Sequence, residues 1–301
     1  MMTDKTLVKQ IQSAITDEIF YALGLRRSGA LRRSLGWVFA LPVRRFSCLM
    51  ADVDAAVATG GFPAGSQMML DALGVRLKAE GVENIPRSGP VVILANHPGA
   101  YDSIAIGSLI SRTDLKVIVA KARFYQVLPH IHTYLYYASQ ERSESMIALR
   151  QAVRHLQSNG ALLQFGSGLI EPEPALYPLD EPVFERWSPS IEIFLRKVPG
   201  LKIVPTIASH VLLRRFAEHL LTRLRRKPMD QRRLAEFMQV MQQLVFPKSI
   251  EAKPRISFGT PFSLAELSPL GDQLELMSEV LQRIQAQLSY HLQRFDFETA
   301  T

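Results

Sequence analysis

The stretch VVILANHPGAYD, residues 91–102, joins an apolar run to a short polar turn. Its first five residues predict a buried strand, because a strand covered on both faces is apolar throughout. Pro98 and Gly99 then allow a tight turn, and SIAIGSLIS (103–111) predicts a helix. In open α/β folds the loop after a parallel strand lies at the carboxyl edge of the sheet, where ligands bind. The stretch therefore predicts both a fold class and the position of a site.

Further apolar runs follow from about residue 76, separated by helical patterns such as 143–160. Fully apolar strands that alternate with helices indicate a mostly parallel central sheet flanked by helices. We therefore predict an α/β domain over residues 76–301. The predicted strands are 91–95, 116–120, 134–138, 161–165, 202–208 and 255–259.

Residues 1–75 predict an N-terminal helical segment, because apolar residues recur there at three- and four-residue steps. TGGFPAG (59–65) interrupts this pattern and predicts a boundary. Within the segment, residues 24–46 combine arginine clusters with Trp37 and Phe39, which is typical of an amphipathic segment lying on an anionic bilayer. A buried helix with a basic solvated face explains the same pattern.

The composition of the 301-residue chain limits the classes of protein to consider. A hydrophobic share of 47% suffices for a sizeable core, and a formal net charge of +7 favours an anionic partner. Nucleic acid is not the expected partner, because no helix-turn-helix or RNA-recognition signature is present. The single cysteine, Cys48, excludes an internal disulfide and fits a reducing compartment. We recognise no secretory signal and no run of the roughly 18 to 20 apolar residues needed for a membrane span.

His97 and Asp102 allow two interpretations. A loop that doubles back would let Asp102 accept a hydrogen bond from one imidazole nitrogen, leaving the other as a general base. Alternatively, Asp102 caps the helix at Ser103 and His97 is a turn residue. The same spacing recurs at His291 and Asp296, in a helical tail with no preceding strand or glycine turn. We interpret that second pair as coincidence, because residues five apart do not face each other on a helix.

The surroundings of the first pair, GVENIPRSGPVVILANHPGAYD (81–102), resemble the glycerolipid acyltransferases. These are the glycerol-3-phosphate and lysophosphatidate acyltransferases with an NHxxxxD motif. Later blocks resemble the family in the same order, so that the resemblance covers roughly residues 76–262. These blocks are KARFYQVLP (121–129), YYASQERS (136–143), KIVPTIAS (202–209) and KPRISFGTPF (253–262).

One block departs from the family pattern. The family usually has Phe-Pro-Glu-Gly followed by a small residue, Arg and Ser, whereas this chain has FGSGLIEPEP (165–174). Ser167 replaces the glutamate and Ile170 the arginine. Glu171 and Glu173 are candidates to substitute for the lost carboxylate. Since this block helps to bind the acceptor in the family, the departure bears on the acceptor more than on the reaction.

The resemblance implies transfer of a fatty acyl group from acyl-CoA or acyl carrier protein to a hydroxyl of a lysophospholipid such as 1-acylglycerol-3-phosphate. It assigns His97 as the general base and Asp102 as the residue that orients it, with no additional cofactor. Backbone amides at 99–101 or at the following helix are candidates for the oxyanion site. We predict no metal site, because the histidines are scattered. The expected substrate-binding residues are Arg142, which would pair with the acceptor phosphate, and Lys121, Arg123, Gly168 and Glu171.

Two alternatives remain open at this stage. The altered block favours a different acceptor, such as a lyso-ornithine lipid or another alcohol without phosphate. A membrane lipid-binding homologue that has lost catalysis is the second alternative, although His97 and Asp102 are both retained. For each interpretation we expect a peripheral protein at the cytoplasmic face of an anionic membrane.

Overall fold

The fold was obtained as a computed structural model, which describes residues 5–22, 29–99, 101–139, 141–177, 187–267 and 273–295. The helices are α1 (Lys5–Ala22), α2 (Gly29–Leu73), α3 (Asp102–Leu109), α4 (Arg123–Gln126), α5 (Arg142–Gln157), α6 (Ser190–Lys197), α7 (Arg214–Ala217), α8 (Leu220–Arg223), α9 (Pro228–Val245) and α10 (Gln273–Arg294). The strands are β1 (Lys78–Glu80), β2 (Val91–Ala95), β3 (Leu115–Ala120), β4 (Leu135–Ala138), β5 (Ala161–Phe165), β6 (Lys202–Ser209), β7 (Arg255–Phe258) and β8 (Phe262–Ser263).

These strands form one sheet in the order β1-β7-β6-β2-β5-β3-β4, with β8 paired to β6. The strands from β6 to β4 run parallel to one another, whereas β7 and β8 run antiparallel to β6. Strand β2 lies near the centre, where Ile93 is aligned with Val204 of β6 and Leu163 of β5. The predicted α/β class, with a mostly parallel sheet flanked by helices, is confirmed.

All six predicted strands are present, and the predicted ranges 91–95 and 161–165 coincide with β2 and β5. The sequence prediction missed β1 and β8, which have three and two residues. Strand β1 has the sequence KAE and therefore lacks the apolar run by which the buried strands were recognised. Both missed strands are at positions where pairing with a longer neighbour, rather than apolar content, defines the strand.

Strand β2 separates two hydrophobic cores, because its side chains alternate between the two faces of the sheet. Val91, Ile93 and Ala95 belong to the core formed with helices α1, α2 and α3. Val92 and Leu94 belong to the core formed with α5, α6 and α10. The central strand is thus covered on both faces, which fixes the position of the loop that follows it.

The N-terminal helices belong to the core on one face of the sheet through buried residues such as Ile11 and Leu70, with α1 packed on α2 and α4 and α2 packed on α3 and α9. Helical geometry within α2 is interrupted at Gly61, where φ is 74°, inside the TGGFPAG stretch. Glycine adopts this left-handed conformation without a steric penalty. The division of the chain at residue 75 stays a prediction. Residues 23–28, which include the start of the 24–46 segment, lie outside the described residues. In the described part of the chain, no helix is long and apolar enough to cross a membrane.

Candidate active site

The His97–Asp102 pair lies directly after the central strand, and its side chains are in contact. His97 Nδ1 lies 2.8 Å from Asp102 Oδ2. The aspartate side chain is fully buried, whereas the histidine side chain keeps 25% of its surface exposed. Because Nδ1 faces the carboxylate, Nε2 is the ring nitrogen left for proton exchange with a substrate.

Asp102 is therefore a partner of His97 and not only a residue of the helix start. It is the first residue of α3, and Tyr101, at the N-cap, makes no side-chain capping bond. The backbone amide of Gly99 also donates to Asp102 Oδ2, over 3.1 Å. This contact removes Gly99 from the candidate oxyanion donors, because its amide already has an acceptor. Ala100, another of those candidates, lies outside the described residues.

The loop that carries His97 is held from two sides. Asn96, which is buried, donates from Nδ2 to the Ala208 carbonyl over 2.9 Å and accepts from the Ala208 amide over 2.7 Å. This pair of bonds continues the β2–β6 ladder for one more residue. The Phe165 ring at the end of β5 lies 4.5 Å from the imidazole of His97, between ring centroids. The two neighbouring strands thus fix the backbone and the ring of His97.

Glu171 of the altered block contacts the backbone of His97. Its Oε2 accepts from the His97 amide at 3.2 Å, and its own amide donates to the His97 carbonyl at 2.7 Å. Trp187 Nε1 donates to the other carboxylate oxygen over 2.8 Å. The side chain is buried, and burial raises the pKa of Glu171. These contacts place Glu171 against the loop that carries His97; its predicted contact with substrate stays a prediction.

Glu173, the second candidate to substitute for the lost carboxylate, has a different location. Its carboxylate accepts hydrogen bonds from four backbone amides, at Ala175, His210, Val211 and Leu212. Burial nevertheless raises the pKa of Glu173 to about 7. Glu173 thus ties the FGSGLIEPEP loop to the loop after β6, whereas Glu171 alone of the two contacts His97.

Electrostatics favour a protonated His97 in the free protein. Burial by itself lowers the pKa of His97, but the adjacent Asp102 carboxylate, with Glu236 and Glu171, outweighs burial and raises it to about 9. Glu236 belongs to α9, and burial raises its pKa to about 7. The site is thus a coupled group of one imidazole and several carboxylates, whose titration belongs to the group.

A cavity of about 560 Å³ adjoins His97 and is mostly apolar. Its wall is formed by α2, α3, β3, α4 and α9, on the face of the sheet that carries the N-terminal helices. The volume falls within the range of small-molecule sites. Its lining includes His97, Tyr101, Phe46, Met50, Val53, Val57, Val117, Val119, Arg233, Glu236, Phe237 and Val240.

The predicted cationic binding residues are less closely joined to this site. The Lys121 ammonium contacts the Glu144 carboxylate, and Arg123 lies 3.7 Å from Asp17, between Nη1 and Oδ2. Arg142 is the first residue of α5, and its side chain lies outside the described residues. Gly168 has φ of 65° and bends the altered loop. The roles of these four residues in binding substrate stay predictions.

Comparisons with known proteins place this site in a family. Residues 76–209 match the family model described as Acyltransferase. This match spans 134 of the 301 residues and includes His97, Asp102 and Glu171. The resemblance inferred from the sequence is thereby confirmed, together with the prediction of an acyltransferase enzyme.

A search of curated proteins found no match. The structure is similar to the crystal structure of the 1-acyl-sn-glycerophosphate (LPA) acyltransferase PlsC from Thermotoga maritima. The sequence identity is 14%, the match covers 95% of each chain, and the TM-score is 0.45.

Two residues beside the acyltransferase motif were missed by sequence reasoning, namely Arg233 and Glu236 of α9. Both line the cavity that His97 also lines, although more than 130 residues separate them from the motif. The preceding residue, Arg232, donates from Nη1 to the Ile170 carbonyl over 3.4 Å. Helix α9 thus brings one arginine, Arg232, to the block in which the family arginine is absent, and a second, Arg233, to the cavity. In the sequence, only the unusual density of arginine in this region indicated that these arginines have a role.

His291, the histidine of the second histidine–aspartate spacing, has a structural role. His291 is fully buried, and its ring nitrogens contact Ser209 Oγ at 2.7 Å and Ser257 Oγ at 2.8 Å. These contacts join α10 to β6 and β7. Asp296 lies outside the described residues.

The described residues also include no group of three or more histidine, cysteine or acidic side chains arranged to hold a metal ion.

Proposed function

We propose that the chain transfers a fatty acyl group from acyl-CoA or acyl carrier protein to a hydroxyl of a lysophospholipid such as 1-acylglycerol-3-phosphate. The observation that carries this proposal is the His97–Asp102 pair at the wall of an apolar cavity, within an acyltransferase domain. The exposed part of His97 gives a substrate access to the ring. The intact pair argues against a homologue that has lost catalysis.

The apolar cavity is proposed to hold the acyl chain of the donor. Burying a methylene group contributes about 0.8 kcal/mol, so a long chain binds such a wall strongly. His97 is among the lining residues, which would bring the thioester carbonyl at the end of the chain close to the base. The same cavity would therefore both bind the donor and position its reacting carbon.

In the proposed reaction His97 acts first as a base and then, once protonated, as an acid. His97 Nε2 takes the proton of the acceptor hydroxyl as its oxygen bonds to the thioester carbonyl carbon. Asp102 stabilises the imidazolium that forms, across the 2.8 Å contact. When the tetrahedral intermediate collapses, the carbon–sulfur bond breaks and the imidazolium returns the proton to the leaving thiolate. The products are the acylated lipid and the free thiol.

Arg233 is proposed to bind the anionic head group of the acceptor. It is exposed and lines the cavity beside Glu236, one helical turn from it. Its neighbour Arg232 bonds to Ile170, at the position where the family pattern has an arginine. A guanidinium binds phosphate through two parallel hydrogen bonds, which suits a phosphomonoester. We infer that the two arginines replace the family cation and favour an acceptor with phosphate over a neutral alcohol.

An acceptor panel tests the proposed function. Purified chain is incubated with acyl-CoA or acyl carrier protein and with lysophosphatidate, glycerol-3-phosphate or lyso-ornithine lipid, and products are identified by mass spectrometry. We expect acylated lysophosphatidate as the main product.

Arg233→Gln should raise KM for this acceptor by about 10- to 100-fold, because one charge-assisted pair is lost. Arg154→Gln on α5, outside the cavity, is the control. Failure of folded chain to acylate any acceptor would refute the proposal, and preference for lyso-ornithine lipid would refute the phosphate assignment.

The pH profile should depend on Glu236. Only neutral His97 is a base, so kcat/KM should rise with pH until it approaches about 9, the pKa of His97. Glu236→Gln removes a negative charge that favours the imidazolium, so the pKa of His97 falls and the profile moves toward lower pH. Glu144→Gln, which removes a carboxylate paired with Lys121, should leave the profile in place. A Glu236→Gln profile that is unchanged or moved to higher pH would contradict this assignment.

The acceptor and product are lipids, so we propose that the protein works at the cytoplasmic surface of an anionic membrane. The basic 24–46 segment is the proposed contact. Trp37, Val38 and Leu41 are exposed on the part of α2 whose side chains the structure describes. Apolar side chains next to arginines suit a helix lying in the plane of the lipid head groups.

A further inference from the structure

A second exposed apolar cluster lies at α8, between β6 and α9. Leu220, Leu221 and Leu224 are 70%, 53% and 69% exposed, although they are three of five consecutive residues. The turn that carries them is held from inside, because Thr222 is buried and its hydroxyl donates to the Phe216 carbonyl over 2.9 Å. Scattered surface leucines are ordinary, but a cluster presented by an ordered turn indicates a contact surface.

The same region is strongly basic. Residues 214–233 contain eight arginine and lysine residues and only two acidic ones, Glu218 and Asp230. Arg223, Arg225, Arg226 and Lys227 are adjacent to the leucines in the sequence and are exposed. With the six arginines of 24–46, the two segments hold a net charge of +12, whereas the whole chain has +7. The rest of the chain therefore has a net charge of −5, so the net positive charge of the protein comes from these two segments.

The described part of the 24–46 segment lies at the same end of the molecule as the start of α9. Phe39 of α2 contacts Phe237 of α9, with ring centroids 6.2 Å apart. Further along both helices, Arg45 Nη1 donates to the Leu244 and Val245 carbonyls over 2.9 and 2.6 Å. The two helices therefore run in the same direction, and each begins about ten residues before the first contact. The start of α9 follows α8 directly, so the leucine cluster lies near the start of α2.

We propose that residues 214–227 form a second membrane-binding element, which inserts Leu220, Leu221 and Leu224 into an anionic bilayer. Exposed leucines would enter the boundary between head groups and acyl chains, and the adjacent cations would pair with lipid phosphates. This element acts together with the 24–46 segment, so the inference rests on the proposed membrane location. Two separate contacts would fix the orientation of the domain, with α9, which lines the cavity, between them.

Vesicle binding tests this element with the full chain. Co-sedimentation is measured with vesicles rich in phosphatidylglycerol and with pure phosphatidylcholine vesicles. We expect the triple change Leu220→Ser, Leu221→Ser and Leu224→Ser to weaken binding to phosphatidylglycerol vesicles on the order of a hundredfold. The control is Met146→Ser with Ile147→Ser, an apolar pair on α5 that is 41% and 55% exposed, at the opposite face of the sheet. We expect this control to bind like the unchanged protein.

A charge variant provides a second measurement. Arg223→Gln, Arg225→Gln and Arg226→Gln should reduce the preference for phosphatidylglycerol over phosphatidylcholine on the order of a hundredfold at low salt. Triple variants that bind vesicles as tightly as the unchanged protein would overturn the inference. It would also be overturned if the arginine variant lost binding to an RNA oligonucleotide while vesicle binding was kept. Acylation of detergent-dispersed lysophosphatidate should be the same in all these variants as in the unchanged protein. If the unchanged protein does not acylate the lipid, the proposed function is refuted, whereas the vesicle measurement still tests the membrane-binding element.

Discussion

Replacing His97 by alanine is expected to lower acyl transfer by about three orders of magnitude or more, the scale of loss when a catalytic base is deleted. The reason is that His97 Nε2 is the only ring nitrogen of the pair not facing Asp102, and it adjoins the cavity. Initial rates with acyl-CoA and lysophosphatidate give the measurement. His132→Ala, at an exposed histidine, is the control and should keep full activity.

A second variant separates catalysis from folding in this experiment. Removing the imidazole leaves the Asp102 carboxylate buried without its partner, which destabilises the domain. His97→Gln keeps an amide donor beside Asp102 but has no basic nitrogen, so it should fold and remain inactive. Circular dichroism and thermal unfolding check the fold of each variant. Near-normal acyl transfer by either folded variant would disprove the role of His97 as base.

The positions of His97 and Asp102 were predictable because local rules determine them. The apolar run VVILA specifies a covered strand, and the turn after it must lie at the carboxyl edge of the sheet. The sequence resemblance then indicated which of the two histidine–aspartate spacings corresponds to the NHxxxxD motif of the acyltransferases. Contacts made over long sequence distances were not predictable in this way.

Glu236 and Arg233 illustrate that limit. They reach the site because α9 packs beside α2, and no local pattern in α9 encodes that packing. Lys121 shows the same limit, since the contact of its ammonium with Glu144 of α5 was not predictable, and its role in binding substrate stays a prediction. A surface cation pairs with whichever carboxylate the tertiary structure brings near. The pattern of a single sequence does not show which carboxylate that is. Glu171 is an intermediate case. Its location in the altered block suggested a role from the sequence, and its contact with the His97 backbone amide, which the sequence did not predict, defines its position.

Narrowing the apolar cavity is expected to change which acyl donors the enzyme accepts. Val57 of α2 is buried and lines the cavity, so Val57→Phe places a ring in space proposed for the acyl chain. Each methylene excluded from the pocket costs about 0.8 kcal/mol of binding, so losing three or four lowers kcat/KM for long donors by about 100-fold. Short donors, which do not reach the new ring, should react nearly as before. The measurement is kcat/KM across a series of acyl-CoA chain lengths.

The matched control for this cavity experiment is Val153→Phe, because Val153 of α5 is half-buried in the hydrophobic core on the opposite face of the sheet. Both changes add the same volume, and overpacking costs about 1–3 kcal/mol of stability. A loss of activity through stability alone would therefore affect all chain lengths equally and would occur in both variants. Only occupation of the donor pocket predicts a selective loss for long chains in Val57→Phe. A chain-length profile of Val57→Phe that is parallel to that of the unchanged enzyme would place the acyl chain elsewhere and separate the cavity from His97 chemistry.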